Sequence, residues 1–203
     1  MRTRRGIGAA ALALALAAGA AAARDGPSFD CAKAEGTVET LICGDAALAA
    51  KDRRLAAVWA EAVATAEGLD APPDMDRMRA EQRGWIEGRN DCWKAADVAG
   101  CVGDLYDRRT TELQAFWMLA ERTALTAYVC EGDRANEFHA GFYATEPPSV
   151  RVERGDSVKV GVAVPAASGV RYAMPFGAEL WVKGGLATLA WTEGEALDCE
   201  AAE

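Results

Sequence analysis

The serine and lysine best suited to a chemical role lie in two short runs. These are Ala167-Ser168-Gly169-Val170-Arg171-Tyr172 and Leu180-Trp181-Val182-Lys183-Gly184. A serine hydroxyl both donates and accepts hydrogen bonds, whereas a lysine ammonium only donates. Gly169 lacks a side chain and lets the backbone approach closely. One hydroxyl and one ammonium at the tip of a rigid scaffold suit filling another molecule's polar cleft better than running a reaction. Taken alone, Ser168-Gly169 reads as a turn, and Lys183 before Gly184-Gly185 as a solvated hairpin residue. Tyr172 reads as structural, and Trp181 is expected in the core rather than on a contact surface.

The chain offers little to an enzyme. It has no Gly-x-Ser-x-Gly elbow, P-loop or His-Glu-x-x-His. Its single histidine, His139, sits in a strand-like stretch and is expected to be structural. Acids are plentiful, but abundance does not make a glycosidase pair. No enzymatic activity and no cofactor are expected. Metal binding is not expected either, since tight Cys-x-x-Cys spacing and multiple histidines are lacking.

Residues 1–23 read as a signal peptide. Arg2, Arg4 and Arg5 precede an apolar run from Ile7 to Ala18, and small residues at Ala20 to Ala23 suit cleavage. The run is short for a membrane span. Cys31 lies well past Ala23, so no lipid or other stable membrane anchor is expected. The whole chain of 203 residues carries a net charge of -9; losing the three leader arginines and no acids makes it -12. Such acidity opposes binding to nucleic acid or an anionic membrane surface and favours encounter with a cationic partner. No oligomeric state is specified.

Two textures follow the leader. From residue 37 to about 123 the spacing is helical. Asp45 is a plausible N-cap for a helix to about Glu67, with Leu48, Leu55, Val58, Trp59 and Ala62 on its apolar face and Gly68 as its stop. Asp74, after Pro72-Pro73, caps a second helix that runs to Trp93. A third is expected from near Cys101 to about Thr123. Together they predict a small antiparallel bundle. From Ala127 onward, short strand candidates alternate with turns. They are 128–130, 138–144, 150–152, 158–164, 180–182 and 187–191, and they predict a small antiparallel β-barrel. The expected class is α+β in two domains, a disulfide-bonded helical bundle over 28–123 and a barrel over 127–203.

All six cysteines lie beyond the leader, and an even count in an exported chain reads as disulfides. Cys130 and Cys199 fall in the first and last barrel segments, where a bridge would tie the ends together. Cys31, Cys43, Cys92 and Cys101 are expected at one pole of the bundle, with three pairings open.

The pattern Tyr128-x-Cys130-x-Gly132, Ser168-Gly169-x-x-Tyr172, Trp181-x-Lys183-Gly184 and Cys199 resembles the MliC/PliC family of C-type lysozyme inhibitors over about residues 127–200. The resemblance implies a small barrel with one disulfide, whose loops enter the active-site cleft of C-type lysozyme. It implies a contact set of Ser168, Gly169, Tyr172, Lys183 and Gly184, with Ser168 and Lys183 as the inserted groups and Tyr172 and Trp181 bracing the loops. The chemistry agrees, because lysozyme works with one protonated and one ionised carboxyl group. An ammonium suits the ionised one, and a hydroxyl suits either.

The helical segment resembles the LprI-type lysozyme-inhibitor domain. The matching pieces are Phe29-Asp30-Cys31, Glu39-x-x-Ile42-Cys43, Leu48, Asp52-x-x-Leu55, Gln82-x-x-Trp85, Arg89-x-x-Cys92 and Cys101 to Arg108. Gln82, Trp85 and Arg89 fall close to one helical face, and the favoured reading is a packing and hydrogen-bonding stripe. The function these likenesses imply is periplasmic or secreted inhibition of host C-type lysozyme. The alternative is an envelope interaction or cell-wall-binding module without inhibitory activity.

Overall fold

A computed structural model describes residues 26–202. The expected leader lies outside the described residues. Four α-helices precede an eight-stranded barrel: α1 (Gly36–Gly44), α2 (Ala46–Glu67), α3 (Met75–Asn90) and α4 (Val98–Phe116). The caps are local. Asp45 accepts hydrogen bonds from the Ala47 and Leu48 amides, Asp74 from Arg77 and Asp97 from Gly100. Each side-chain oxygen satisfies an amide that the helix itself leaves unpaired.

The third predicted helix ends earlier than its apolar residues suggest. Met118 takes φ +55, its amide bonds Ala115 O at 3.3 Å, and the Leu119 amide bonds Gln114 O at 2.8 Å. This is a Schellman closure with methionine where glycine usually stands. Arg122 and Thr123, read as helix from the sequence, instead open the first strand.

The strands are β1 (Arg122–Cys130), β2 (Asp133–Tyr143), β3 (Ser149–Arg154), β4 (Ser157–Val164), β5 (Val170–Ala173), β6 (Glu179–Lys183), β7 (Leu186–Ala190) and β8 (Leu197–Ala201). Each pairs antiparallel with its sequence neighbour, and β8 closes on β1. Closure leaves no edge open to other chains. Period-2 alternation sends Tyr128, Phe138, Ala140, Val150, Val152, Leu180 and Leu189 inward. Because successive strands reverse direction, the β2–β3, β4–β5 and β6–β7 connections emerge at one end.

Helix α4 packs on β3 and β4, where Ala115, Tyr143 and Val160 form a small buried cluster. The Thr111 hydroxyl donates to Glu146 O at 3.3 Å in the β2–β3 connection, and Arg151 Nε donates to Phe116 O at 3.2 Å.

The disulfides are Cys31–Cys43, Cys92–Cys101 and Cys130–Cys199. Of the three pairings open in the bundle, the sequence-local one forms. One bridge ties a 3-10 turn at Cys31–Lys33 to the end of α1; the other ties the turn after α3 to the first residues of α4. The barrel bridge joins facing residues of β1 and β8 across 69 positions. Removing it with C130A/C199A is expected to lower stability by about 2–4 kcal/mol, because a long loop regains freedom in the unfolded chain. Denaturant titration of the purified variant measures this. A loss below about 0.5 kcal/mol would contradict it.

Candidate lysozyme-contact site on the barrel

The Ser168 loop and the Lys183 turn are neighbours because β5 and β6 pair, with Val170 opposite Val182 and Arg171 opposite Trp181. The loop leaving β4 therefore ends against the last residues of β6. Gly169 makes this approach possible. It takes φ +65, and a Cβ there would sit 2.3 Å from Val182 O and 3.1 Å from Lys183 Cβ. Trp181 Nε1 then donates to Ser168 O at 2.8 Å and pins the loop to the strand. That bond uses the serine carbonyl and leaves the hydroxyl available. Ser168 is half-buried and Lys183 exposed. Among the described residues Lys183 makes no ion pair and no side-chain hydrogen bond. Gly184, at φ +64, sits in the two-residue turn that Lys183 and Leu186 close.

Tyr172 and Trp181 face opposite ways here. Tyr172 is 6% exposed and points into the barrel, its ring centroid 5.8 Å from that of Phe142. Burial raises the pKa of its phenol, so it stays neutral. It supports β5 from within, with little of its surface left for a partner to reach. Trp181 moves the other way. Leu180 faces inward, so alternation turns Trp181 outward, and it is 40% exposed. It braces the loop from the outer face, on the same side as Lys183. His139 is also on the outer face, its Nε2 3.5 Å from Glu137 Oε1.

Sequence reasoning passed over Val170 and Leu186, which are 43% and 58% exposed beside these groups. The available signal was a large apolar residue at an outward position of an alternating strand.

Replacing Gly169 with alanine is expected to displace Ser168 and cut binding through the site. It should also cost about 1–3 kcal/mol of stability through backbone strain. Comparing G169A with the parent by denaturation and by inhibition tests both. An unchanged protein in both assays would contradict the clamp.

In the bundle, the Gln82–Trp85–Arg89 stripe faces inward. Arg89, 4% exposed, donates from Nη1 to Tyr106 Oη at 2.7 Å, and Tyr106 donates to Asp52 Oδ1 at 2.8 Å. Asp52 Oδ2 also accepts from the Ser28 amide at 2.5 Å. Trp85 and Tyr106 ring centroids lie 5.5 Å apart. Gln82 Oε1 accepts from Arg109 Nε at 3.0 Å. Burial, reinforced by the Asp52 bond and partly opposed by Arg89, pushes the Tyr106 pKa far above its usual range. The stripe thus knits α3 to α4 and α2, as a packing and hydrogen-bonding feature. Its saturated partners make it a structural network rather than a contact surface.

Residues 128–198 match the family described as membrane-bound lysozyme-inhibitor of c-type lysozyme, and residues 30–124 match the family described as lysozyme inhibitor LprI. The chain joins an LprI-like bundle to an MliC-like barrel. Similar proteins include the lipoprotein LprI of Mycobacterium tuberculosis and that of Mycobacterium bovis. Each is 29% identical over 158 residues, covering 77% of this chain and 75% of the relative. That stretch is longer than the LprI-like bundle, so the likeness extends into the MliC-like barrel. No solved structure matches the chain. Both halves therefore carry the likeness of lysozyme inhibitors. Among the described residues, no helix is long and apolar enough to cross a membrane.

Proposed function

We propose that this protein is a non-enzymatic, exported inhibitor of C-type lysozyme, and that the Ser168 loop and Lys183 turn of its barrel enter the enzyme's cleft. It acts after removal of a leader over residues 1–23, in the periplasm or outside the cell, with residues 28–123 and 127–203 as its two domains. Ser168, Gly169, Lys183 and Gly184 form the inserted tip. The ammonium of Lys183 pairs with the ionised catalytic carboxylate of lysozyme, and the Ser168 hydroxyl hydrogen-bonds within the same cleft. Gly169 and Gly184 let the backbone follow. Substrate is excluded because the tip occupies its place.

The observation that carries this reading is the unpaired Lys183 ammonium, held beside a clamped Ser168 loop in a barrel that matches a lysozyme-inhibitor family. A lysine that already had an internal carboxylate partner would have to break that pair to serve an enzyme. Lys183 has none to break among the described residues.

The test is a titration of the purified full chain against a C-type lysozyme hydrolysing bacterial cell walls. Hydrolysis should slow at inhibitor concentrations of about 1 µM, an affinity near -8 kcal/mol. Undiminished hydrolysis at a large excess of the chain would overturn the proposal. Turnover of labelled peptidoglycan by the chain alone would overturn its non-enzymatic part.

A further inference from the structure

We propose that a groove on the barrel's outer face, beside the inserted tip, seats a basic ridge of the same lysozyme molecule. This rests on the function proposed above and adds a second contact surface to it.

The groove has a volume of about 690 Å3 and runs across β6, β7, β8 and the end of β1. Trp181 and Lys183 line it, so it is continuous with the proposed tip. Leu186, 58% exposed, also lines it, in a position where strand alternation alone would favour a polar residue. Isolated exposed leucines are ordinary, but this one lies in a concave surface beside the outward Trp181.

The rim is acidic. Glu131, Asp198 and Glu200 line the groove, and all three are exposed. Glu200 stands opposite Leu186 in the β7–β8 ladder. Glu131 is held in place by the Asp198 amide, which donates to its carboxylate at 2.8 Å. Asp198 in turn accepts from the Thr188 hydroxyl at 3.3 Å. Among the described residues none of the three forms an ion pair. Three negative charges against the single positive charge of Lys183 at one end leave the lining net acidic beside its apolar residues, and such a surface fits a protein bearing arginine or lysine beside apolar side chains. They disfavour anionic ligands such as nucleic acid or acidic lipid. A surface of this kind steers a cationic partner and fixes its register, and the tip then supplies the contact that holds it.

The test uses E131Q/D198N/E200Q in the full chain. The amides keep an acceptor oxygen for the Asp198 amide and the Thr188 hydroxyl, so the fold is retained. A control, D70N/E87Q/D156N, changes net charge equally at exposed positions outside the groove. Stopped-flow association with a C-type lysozyme is measured at low and high salt. The groove variant is expected to associate about tenfold more slowly at low salt and to lose most of its salt dependence, with the control close to the parent. L186S, at an exposed site, is expected to raise the dissociation rate several-fold. A groove variant indistinguishable from the control, together with an unaltered L186S, would overturn this inference while leaving the proposed function standing. A parent chain that neither binds nor inhibits lysozyme would overturn the proposed function itself, and this inference with it.

Discussion

Replacing Ser168 and Lys183 together with alanine is expected to weaken inhibition of C-type lysozyme by about 60-fold to tens of thousands-fold. Truncating one partner of a buried, hydrogen-bonded charge pair costs about 2–5 kcal/mol, mostly because the other charge is left buried without a partner. In the proposed complex that stranded group is a lysozyme carboxylate. Each 1.4 kcal/mol is about tenfold in affinity. The serine hydroxyl adds the smaller contribution of a neutral hydrogen bond, about 0.5–1.5 kcal/mol. Stability should not follow. Lys183 is exposed, and the bond from Trp181 goes to the Ser168 carbonyl, which alanine retains. Substitutions of this type usually stay within about 0.5 kcal/mol. Inhibition constants and denaturation midpoints on the same preparations separate the two effects. Unchanged inhibition would show that the tip is elsewhere. A parallel loss of stability would show that the pair supports the barrel instead.

The second large effect belongs to the bundle. Replacing Asp52 with alanine removes the acceptor at the end of the Arg89–Tyr106–Asp52 chain and one of the two carboxylates beside a guanidinium that is 4% exposed and otherwise bonds Asn90 Oδ1. Glu39 is its other carboxylate neighbour, at 3.7 Å. Losing one partner of a buried pair costs about 3–5 kcal/mol, whereas replacing both partners with apolar residues is often nearly neutral. D52A should therefore destabilise the bundle by up to about that amount, and D52L/R89M should recover part of it, less about 1–3 kcal/mol for the buried Tyr106 hydroxyl that loses both partners. Chemical denaturation of the single and double variants checks both. A loss under about 1 kcal/mol in D52A would mean that solvent reaches Arg89.

Where the sequence specified structure locally, it was readable. Asp45 and Asp74 cap their helices because a short acidic side chain reaches back to free amides, and both positions are visible in the chain. The barrel was legible from apolar alternation and regular turns. The end of α4 was not. Its αL residue is Met118, which gives none of the signal of a glycine, and the apolar residues beyond it continue the helical spacing by coincidence. Strand β5 was hidden because it spans only Val170–Ala173 and follows a turn-like Ser-Gly.

The site shows the same division. Motif order brought Ser168 and Lys183 to attention, and the β5–β6 register accounts for their proximity. The opposite facings of Tyr172 and Trp181 depend on strand phase, and a shift of one residue exchanges the two faces. The bundle disulfides were open because a common pole admits three pairings, and only the short connections around Cys31–Cys43 and Cys92–Cys101 select one. The docking of α4 on β3 and β4 left no periodic signature, since it rests on a few buried residues and Thr111.

Occupancy of the cleft itself can be measured by competition. A chitin oligosaccharide that fills the lysozyme subsites is titrated against a fixed concentration of enzyme and full chain, and binding is followed by calorimetry. Mutually exclusive binding is the expected result, with the apparent affinity of the chain falling in step with oligosaccharide occupancy. A ternary complex, in which oligosaccharide and chain bind lysozyme independently, would contradict insertion of the Ser168–Lys183 tip.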